Sequence, residues 1–340
     1  MKIGDLTELE ERLSRPSAAD VSAMAALEGD LLILGAGGKM GPSLARRAQR
    51  AAEKAGVRKR IVAAARFSDK SLRDNLAADG IETITSDLLE PGALVKLPDI
   101  PNVIFMAARK FGTAGAAHLT WAMNTYLPGL VAERYRKSRI VAFSTGNVYP
   151  LRSLTEGGAV ESTAVGPVGE YAQSALGRER MFEYGSQRWG TPVTILRLNY
   201  AIDLRYGVLV DIGRTVFDRR QVDLRMPAVN VIWQGDANSW CLRSFAHCQS
   251  PALVLNITGP EILSVRDTAA EFGHHFGILP DFVSQEGPTA LLSNPSKACE
   301  LFGRPLVTPH QMIEWIADWL RQGGLLLDKP TPFQTRDGKL

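Results

Sequence analysis

The chain has 340 residues, 45% of them hydrophobic, enough to bury one large core or two coupled ones. Lysine and arginine total 39 against 36 acidic residues, a formal charge of +3, and the basic residues form no run that would point to nucleic acid. No apolar stretch reaches the roughly 20 residues of a membrane span, acids stand where a signal peptide would be apolar, and Cys241, Cys248 and Cys299 form no CxxC pair; a reducing cytoplasm is expected.

Leu6, Leu9 and Leu13, three and four apart, predict a helix that Pro16 interrupts, and a second short helix follows over 19–27. Residues 1–29 therefore read as a helical appendage. The rhythm then changes. Residues 30–35, Asp-Leu-Leu-Ile-Leu-Gly, are a short apolar run of the kind buried on both faces of a sheet. A helix follows over 42–55, with Pro42 in its first turn. Further strands are predicted at 59–65, 82–86, 102–108, 139–144 and 192–197, with helices at 71–79, 120–136 and 171–187.

Apolar strands alternating with helices predict an α/β domain over 30–200, a doubly wound parallel sheet of Rossmann type. Beyond 200 the pattern is irregular, with a strand at 254–258 and an amphipathic helix at 309–323. Residues 201–328 are expected to form a smaller substrate-binding region that sends segments back to the main sheet. Residues 329–340 read as an exposed tail.

Gly35-Ala-Gly-Gly38-Lys39-Met40-Gly41 lies between the first strand and its helix. Gly35 permits the tight exit turn, Gly38 lets a pyrophosphate approach the backbone, and Gly41 lets the helix pack closely. Amides at the helix start would face the phosphates. After the second strand stand Arg66 and Ser68, where an NAD site usually has an acid; an arginine suits the 2′-phosphate of NADP, with Lys39 as a further partner. NADP is the expected cofactor, with NAD as the alternative.

Several stretches in order resemble the extended short-chain dehydrogenase/reductase family of NAD(P)-dependent epimerases and dehydratases. Gly35–Gly41 resembles its glycine loop and Ser86-Asp87-Leu88 its aspartate turn, implying that Asp87 and Leu88 flank the adenine. Phe105-Met-Ala107-Ala108 resembles the fourth-strand motif that lines the cofactor, with Arg109 just beyond. Asn124 matches an asparagine that orders the site. Phe143-Ser144-Thr145-Gly-Asn-Val-Tyr149 resembles the hydroxyl-bearing fifth-strand motif, and Tyr171 with the residues after it lies over the Tyr-x-x-x-Lys helix.

The resemblance implies Tyr171 as acid/base and Thr145, with Ser144, as the hydroxyl that holds the substrate oxygen. It also implies a homodimer built from the helices near 120–136 and 171–187. The lysine position holds Ala175, which can neither bond a ribose nor place a cation beside Tyr171. Lys110 or Arg109 is the substitute the sequence offers.

Each candidate has a plainer reading: Tyr171 as a packing residue, Ser144 and Thr145 as turn caps, and Asn199 as either a turn residue or a substrate contact. The adjacent His274 and His275 diverge on a helix, and no metal site is expected. Trp233, Trp240, Trp315 and Trp319 read as core or subunit-contact aromatics. The function expected is an NAD(P)-dependent oxidoreductase, epimerase or dehydratase acting on a hydroxylated small molecule such as a sugar derivative. A cofactor-binding sensor or scaffold is the rival that Ala175 favours.

Overall fold

Seven short strands make one parallel sheet: β1 (Leu31–Leu34), β2 (Ile61–Ala65), β3 (Glu82–Thr85), β4 (Asn102–Phe105), β5 (Arg139–Thr145), β6 (Val193–Leu198) and β7 (Leu253–Ile257). The computed structural model describes residues 3–110, 115–329 and 331–338. Strand order is β7-β6-β5-β4-β1-β2-β3, and every neighbouring pair is parallel. The chain winds outward in both directions from β1, so the crevice at the carboxyl ends of β1 and β4 is the topological switch point. Leu31 to Leu34 and Ile61 to Ala65 are buried throughout, as strands covered on both faces must be.

Two helices precede the sheet, α1 (Leu6–Ser14) and α2 (Ala18–Ala26), and both are pinned by charge. Glu10 reaches Arg46 at 3.1 Å and Arg205 at 2.7 Å. Asp20, fully buried, pairs with the buried Arg47 at 2.6 Å and accepts a hydrogen bond from Ser239. The appendage thus ties the first helix of the sheet layer, α3 (Gly41–Lys54), to residues beyond 200. Next in the layer comes α4 (Lys70–Ala78), capped by Asp69.

The expected single helix over 120–136 is built otherwise. It starts as an α-turn at Ala117–Trp121, widens to a π-turn at Ala122–Tyr126, and resumes as α5 (Leu127–Arg134). Pro128 has no amide to return to the Asn124 carbonyl, so the regular ladder cannot run through this point. The long helix α6 (Gly169–Trp189) carries Tyr171 and packs against this broken helix.

After residue 200 come α7 (Val208–Phe217), α8 (Gln234–Arg243), α9 (Val265–Phe276) and α10 (Pro309–Arg321). α8 turns back onto α2 and α3, while α7, α9 and α10 enclose a second core with Leu9, Leu13, Phe272, Trp315 and Trp319. All four tryptophans named above are buried in the chain's own cores. Among the described residues no helix is long and apolar enough to cross a membrane.

The exposed tail expected over 329–340 requires correction. Thr331 and Phe333 are each only 4% exposed, and the segment 331–338 lies against the protein. Asp211 on α7 accepts hydrogen bonds from the Thr331 amide and hydroxyl, and the Phe333 ring enters the second core. These contacts span more than a hundred residues of sequence, so local polarity could not reveal them. Pro330, Lys339 and Leu340 lie outside the described residues.

Candidate active site

The glycine loop has the shape its residues dictate. Gly35 takes φ +92°, and a Cβ there would stand 2.5 Å from the Ala107 amide at the end of β4. At Gly41 a Cβ would stand 2.2 Å from the Ala36 carbonyl oxygen, so the loop can close onto the start of α3 only with glycine. Gly38 differs: a Cβ would meet nothing nearer than the Gly35 oxygen at 3.5 Å. The space it leaves is open on the outer side. α3 starts at Gly41 with no side chain capping it, and Pro42 stands in its first turn. An uncapped helix start behind an open glycine fits the diphosphate of a dinucleotide.

Around that loop the predicted cofactor residues divide. Arg66 and Ser68 are exposed just past the end of β2, where Ala65 faces Gly37. Asp87 closes a turn by accepting from the Leu89 amide at 3.1 Å, with Leu88 buried behind it. Ala107 is buried against the loop and Ala108 is exposed.

Lys39 does not join Arg66. Its ammonium donates to the Ala201 carbonyl at 2.9 Å and lies 4.3 Å from the centroid of the Tyr206 ring. Burial pushes its pKa down to about 7. The predicted 2′-phosphate partnership of Lys39 is therefore replaced by a contact that closes the loop onto residues 201–206.

Tyr171 is 8% exposed near the start of α6. Lys110, just past β4, places its ammonium 5.9 Å from the centroid of the Tyr171 ring. Burial lowers the Lys110 pKa to about 8, opposed by Asp211. Asn124 organises this corner from the π-turn. Its side chain exchanges hydrogen bonds with the Arg109 amide (2.8 Å) and carbonyl (2.9 Å), and it donates to Ser174 at 3.0 Å. The expectation that Asn124 orders the site thus takes a physical form: it fixes the exit of β4 against α6.

One residue was missed by the sequence reading. Arg178, buried two turns along α6 from Tyr171, donates to the Phe143 carbonyl and to the Asn124 side chain, each at 2.9 Å. Burial pulls its pKa down, and the Tyr171 phenol and the Glu179 carboxylate oppose that. Ala175, fully buried, lies between the two on the helix and packs with Val148, Tyr149 and Ala159. The available signal was helical spacing: Tyr171, Ala175, Arg178 and Glu179 recur at three and four, on one face.

The hydroxyl pair is not brought to one place. Ser144 donates to Glu179 at 2.5 Å, and Glu179 is locked in a buried ion pair with Arg197 at 2.7 Å. That hydroxyl is committed to the core, which corrects its expected catalytic place. Thr145 accepts from the Asn147 amide at 3.2 Å and donates to its side chain, capping a short turn at the sheet edge. Asn199 is 2% exposed and donates to Asn230, so its predicted substrate contact is also corrected. Its neighbour Tyr200 lines the cavity beside Asn147 instead.

The switch-point crevice, the open glycine and the tyrosine on the adjoining edge define an α/β enzyme of the dinucleotide-dependent class. The NAD dependent epimerase/dehydratase family profile matches residues 31–201, just over half of the chain, and the chain belongs to that family. Among curated proteins none matches the sequence. Its fold is similar to that of UDP-glucuronic acid 4-epimerase from Bacillus cereus, solved with NAD and a fluorinated UDP-sugar (TM-score 0.72, 16% identity, 86% of this chain and 99% of that one). It is likewise similar to the dTDP-glucose 4,6-dehydratase of Bacillus anthracis, solved with NAD (TM-score 0.71, 14% identity, 86% and 97%). A third likeness is to UDP-glucose 4-epimerase from Thermus thermophilus, also with NAD (TM-score 0.69, 17% identity, 86% and 99%).

Proposed function

We propose that the chain is an NADP(H)-linked oxidoreductase of the epimerase/dehydratase kind in which Tyr171 moves the proton at the substrate oxygen. The observation that carries this reading is the position of the Tyr171 ring beneath the Lys110 ammonium, on the same sheet edge as the open glycine loop. A phenol near its usual pKa of about 10 is a poor base at neutral pH, and a nearby cation favours the phenolate. Lys110 stands over the ring and Arg178 lies along α6, the cations nearest the position where a lysine is absent at 175.

The nicotinamide, when bound, supplies or accepts the hydride. The protein's residues do the rest. The Gly35–Gly41 backbone, with Met40 at the helix start, holds the diphosphate. Asp87, Leu88, Ala107, Ala108 and Arg109 line the groove, and Asn124 keeps the β4 exit in place. Arg66 and Ser68 contact the 2′-phosphate, which favours NADP over NAD. Thr145 turns its hydroxyl from Asn147 to the substrate oxygen, and Tyr171 Oη gives that oxygen a proton or takes one away. Tyr171→Phe keeps the ring packing and removes the proton, so turnover is expected to fall by roughly a hundred- to ten-thousand-fold. Full activity in that variant contradicts the mechanism.

A homodimer fits the face formed by the broken helix over 117–134 and α6, where Leu119, Trp121, Tyr126 and Tyr184 are exposed. Light scattering tests it. The non-redox reading rests on Ala175 and on the engaged hydroxyls of Ser144 and Thr145. Ala175→Lys separates the two: a large gain in oxidoreductase turnover marks the natural chain as a weakened enzyme or sensor.

A further inference from the structure

The segment 331–338 crosses from the second core to the mouth of the site. Thr331 is tied to Asp211, and Arg336 donates to the Arg225 and Thr289 carbonyls at 3.1 and 2.9 Å. At its far end Gly338 lies against Val168 and Gly169, two residues before Tyr171. A Cβ on Gly169 would stand 2.3 Å from the Gly338 oxygen, and one on Gly338 would stand 2.3 Å from the Val168 oxygen. Both glycines have positive φ, +82° and +73°. Backbone meets backbone here with no room for a side chain.

We propose that residues 331–338 are the outer wall of the substrate site and restrict it to a small hydroxy or oxo acid. Beneath the strap lies a cavity of about 60 Å³. A water needs roughly 10–15 Å³ of such space, so the cavity holds a ligand about as large as four to six waters. Lys110, Asn147 and Tyr200 line it from the sheet side, and Thr335, Arg336 and Gly338 from the strap. Asn147 bonds the Thr145 hydroxyl and Lys110 overlies Tyr171, so two of the lining residues connect the cavity to the proposed catalytic pair.

Among the described lining residues two are cationic, Lys110 and Arg336, and none is a carboxylate; an anionic ligand matches that lining. Pockets that bury a drug-sized ligand run to roughly 300–1,000 Å³, so the space beneath the strap does not enclose a whole nucleoside diphosphate sugar.

The proposal rests on the reading of Tyr171 as the acid/base, so the experiment reads cofactor and substrate separately. NADPH binding is followed first by its own fluorescence; failure there strikes the proposed function and not the strap. UDP-glucose is then titrated calorimetrically into the NADPH-loaded full chain, into Gly338→Val, which forces the strap off Val168, and into Arg336→Ala, each checked by thermal melting. The full chain is expected to give no binding up to about 1 mM, and the folded variants to gain at least roughly tenfold in affinity. Micromolar binding of UDP-glucose to the full chain overturns the proposal, whatever the variants do. So does continued exclusion by both variants when folded.

Glyoxylate, pyruvate, lactate and glycerate form the second arm. At least one is expected to bind the loaded full chain with Kd below about 10 mM and to weaken roughly tenfold in Arg336→Ala. If none of them binds, the acid class falls.

Discussion

The two walls of the cleft are held by different kinds of contact. Along residues 31–124 the backbone is shaped by small residues at close range: Gly35 against Ala107, Gly41 against Ala36, Gly37 against Ala65. Along residues 200–338 it is held by charged and polar pairs far apart in sequence, such as Asp211 with Thr331 and Arg205 with Glu10. A wall built from missing side chains leaves room for a ligand's phosphates. A wall built from long-range polar ties closes around a space and sets its size.

Substitutions can break or sharpen that contrast. The largest effect is expected at Asp20, whose carboxylate joins Arg47 of α3 to Ser239 of α8 and so links the two walls. Asp20→Ala leaves a buried guanidinium uncompensated and should cost about 3–5 kcal/mol, read as the shift of a denaturant midpoint. A change below about 0.5 kcal/mol would show that the walls hold together without this tie.

Next comes Arg66, on the nucleotide wall alone. Arg66→Asp removes a charge-assisted contact of roughly 1.5–3 kcal/mol, so NADPH affinity should drop about ten- to a hundredfold while NADH binding is kept or improved. Equal weakening of both cofactors would place Arg66 elsewhere than at the 2′-phosphate.

Arg178 is a positioning residue: it ties the Phe143 carbonyl to the Asn124 side chain behind Tyr171. Arg178→Met should lower kcat by about tenfold with KM little changed, and Arg178→Lys should restore most of it. An unchanged kcat with lowered stability would reduce Arg178 to a core brace.

A pH slope gives a further test. Lys39 in the folded chain titrates at about 7, below the roughly 10.4 of an unfolded lysine. The penalty for burying its charge is fully present below the folded value and relieved as pH rises towards the unfolded one. Between them the unfolded chain holds more protons, so stability increases with pH. Lys110, lowered to about 8, acts in the same direction. Lys39→Met should flatten the rise in melting temperature across that window; an unchanged slope would mean that Lys39 keeps its proton in the fold.

Legibility in the sequence follows the same division. The sheet was readable because Leu31 to Leu34, Ile61 to Ala65 and Val103 to Phe105 are uninterrupted apolar runs, and glycine spacing marked the loop. Tyr171 and Asn124 are singled out in the sequence because their surroundings resemble a family pattern. Ser144 and Asn199 were placed wrongly because a residue's neighbours in sequence do not disclose its partners in space, here Glu179 and Asn230. Lys39 was read by its position in the loop, whereas Tyr206 and the Ala201 carbonyl decide where it points. The strap was illegible for the same reason: a polar stretch reads as a tail until Asp211 and the second core are known to receive it.

The central claim is that the open side of Gly38 receives a dinucleotide diphosphate, and fluorescence titration of NADPH and NADH tests it most directly. Folded protein is expected to bind NADPH at micromolar concentration, to prefer it to NADH, and to lose at least roughly a hundredfold in affinity in Gly38→Val with its melting temperature intact. Folded protein that takes up neither nucleotide at about 1 mM, or binds NADPH equally well with valine at 38, would contradict the account.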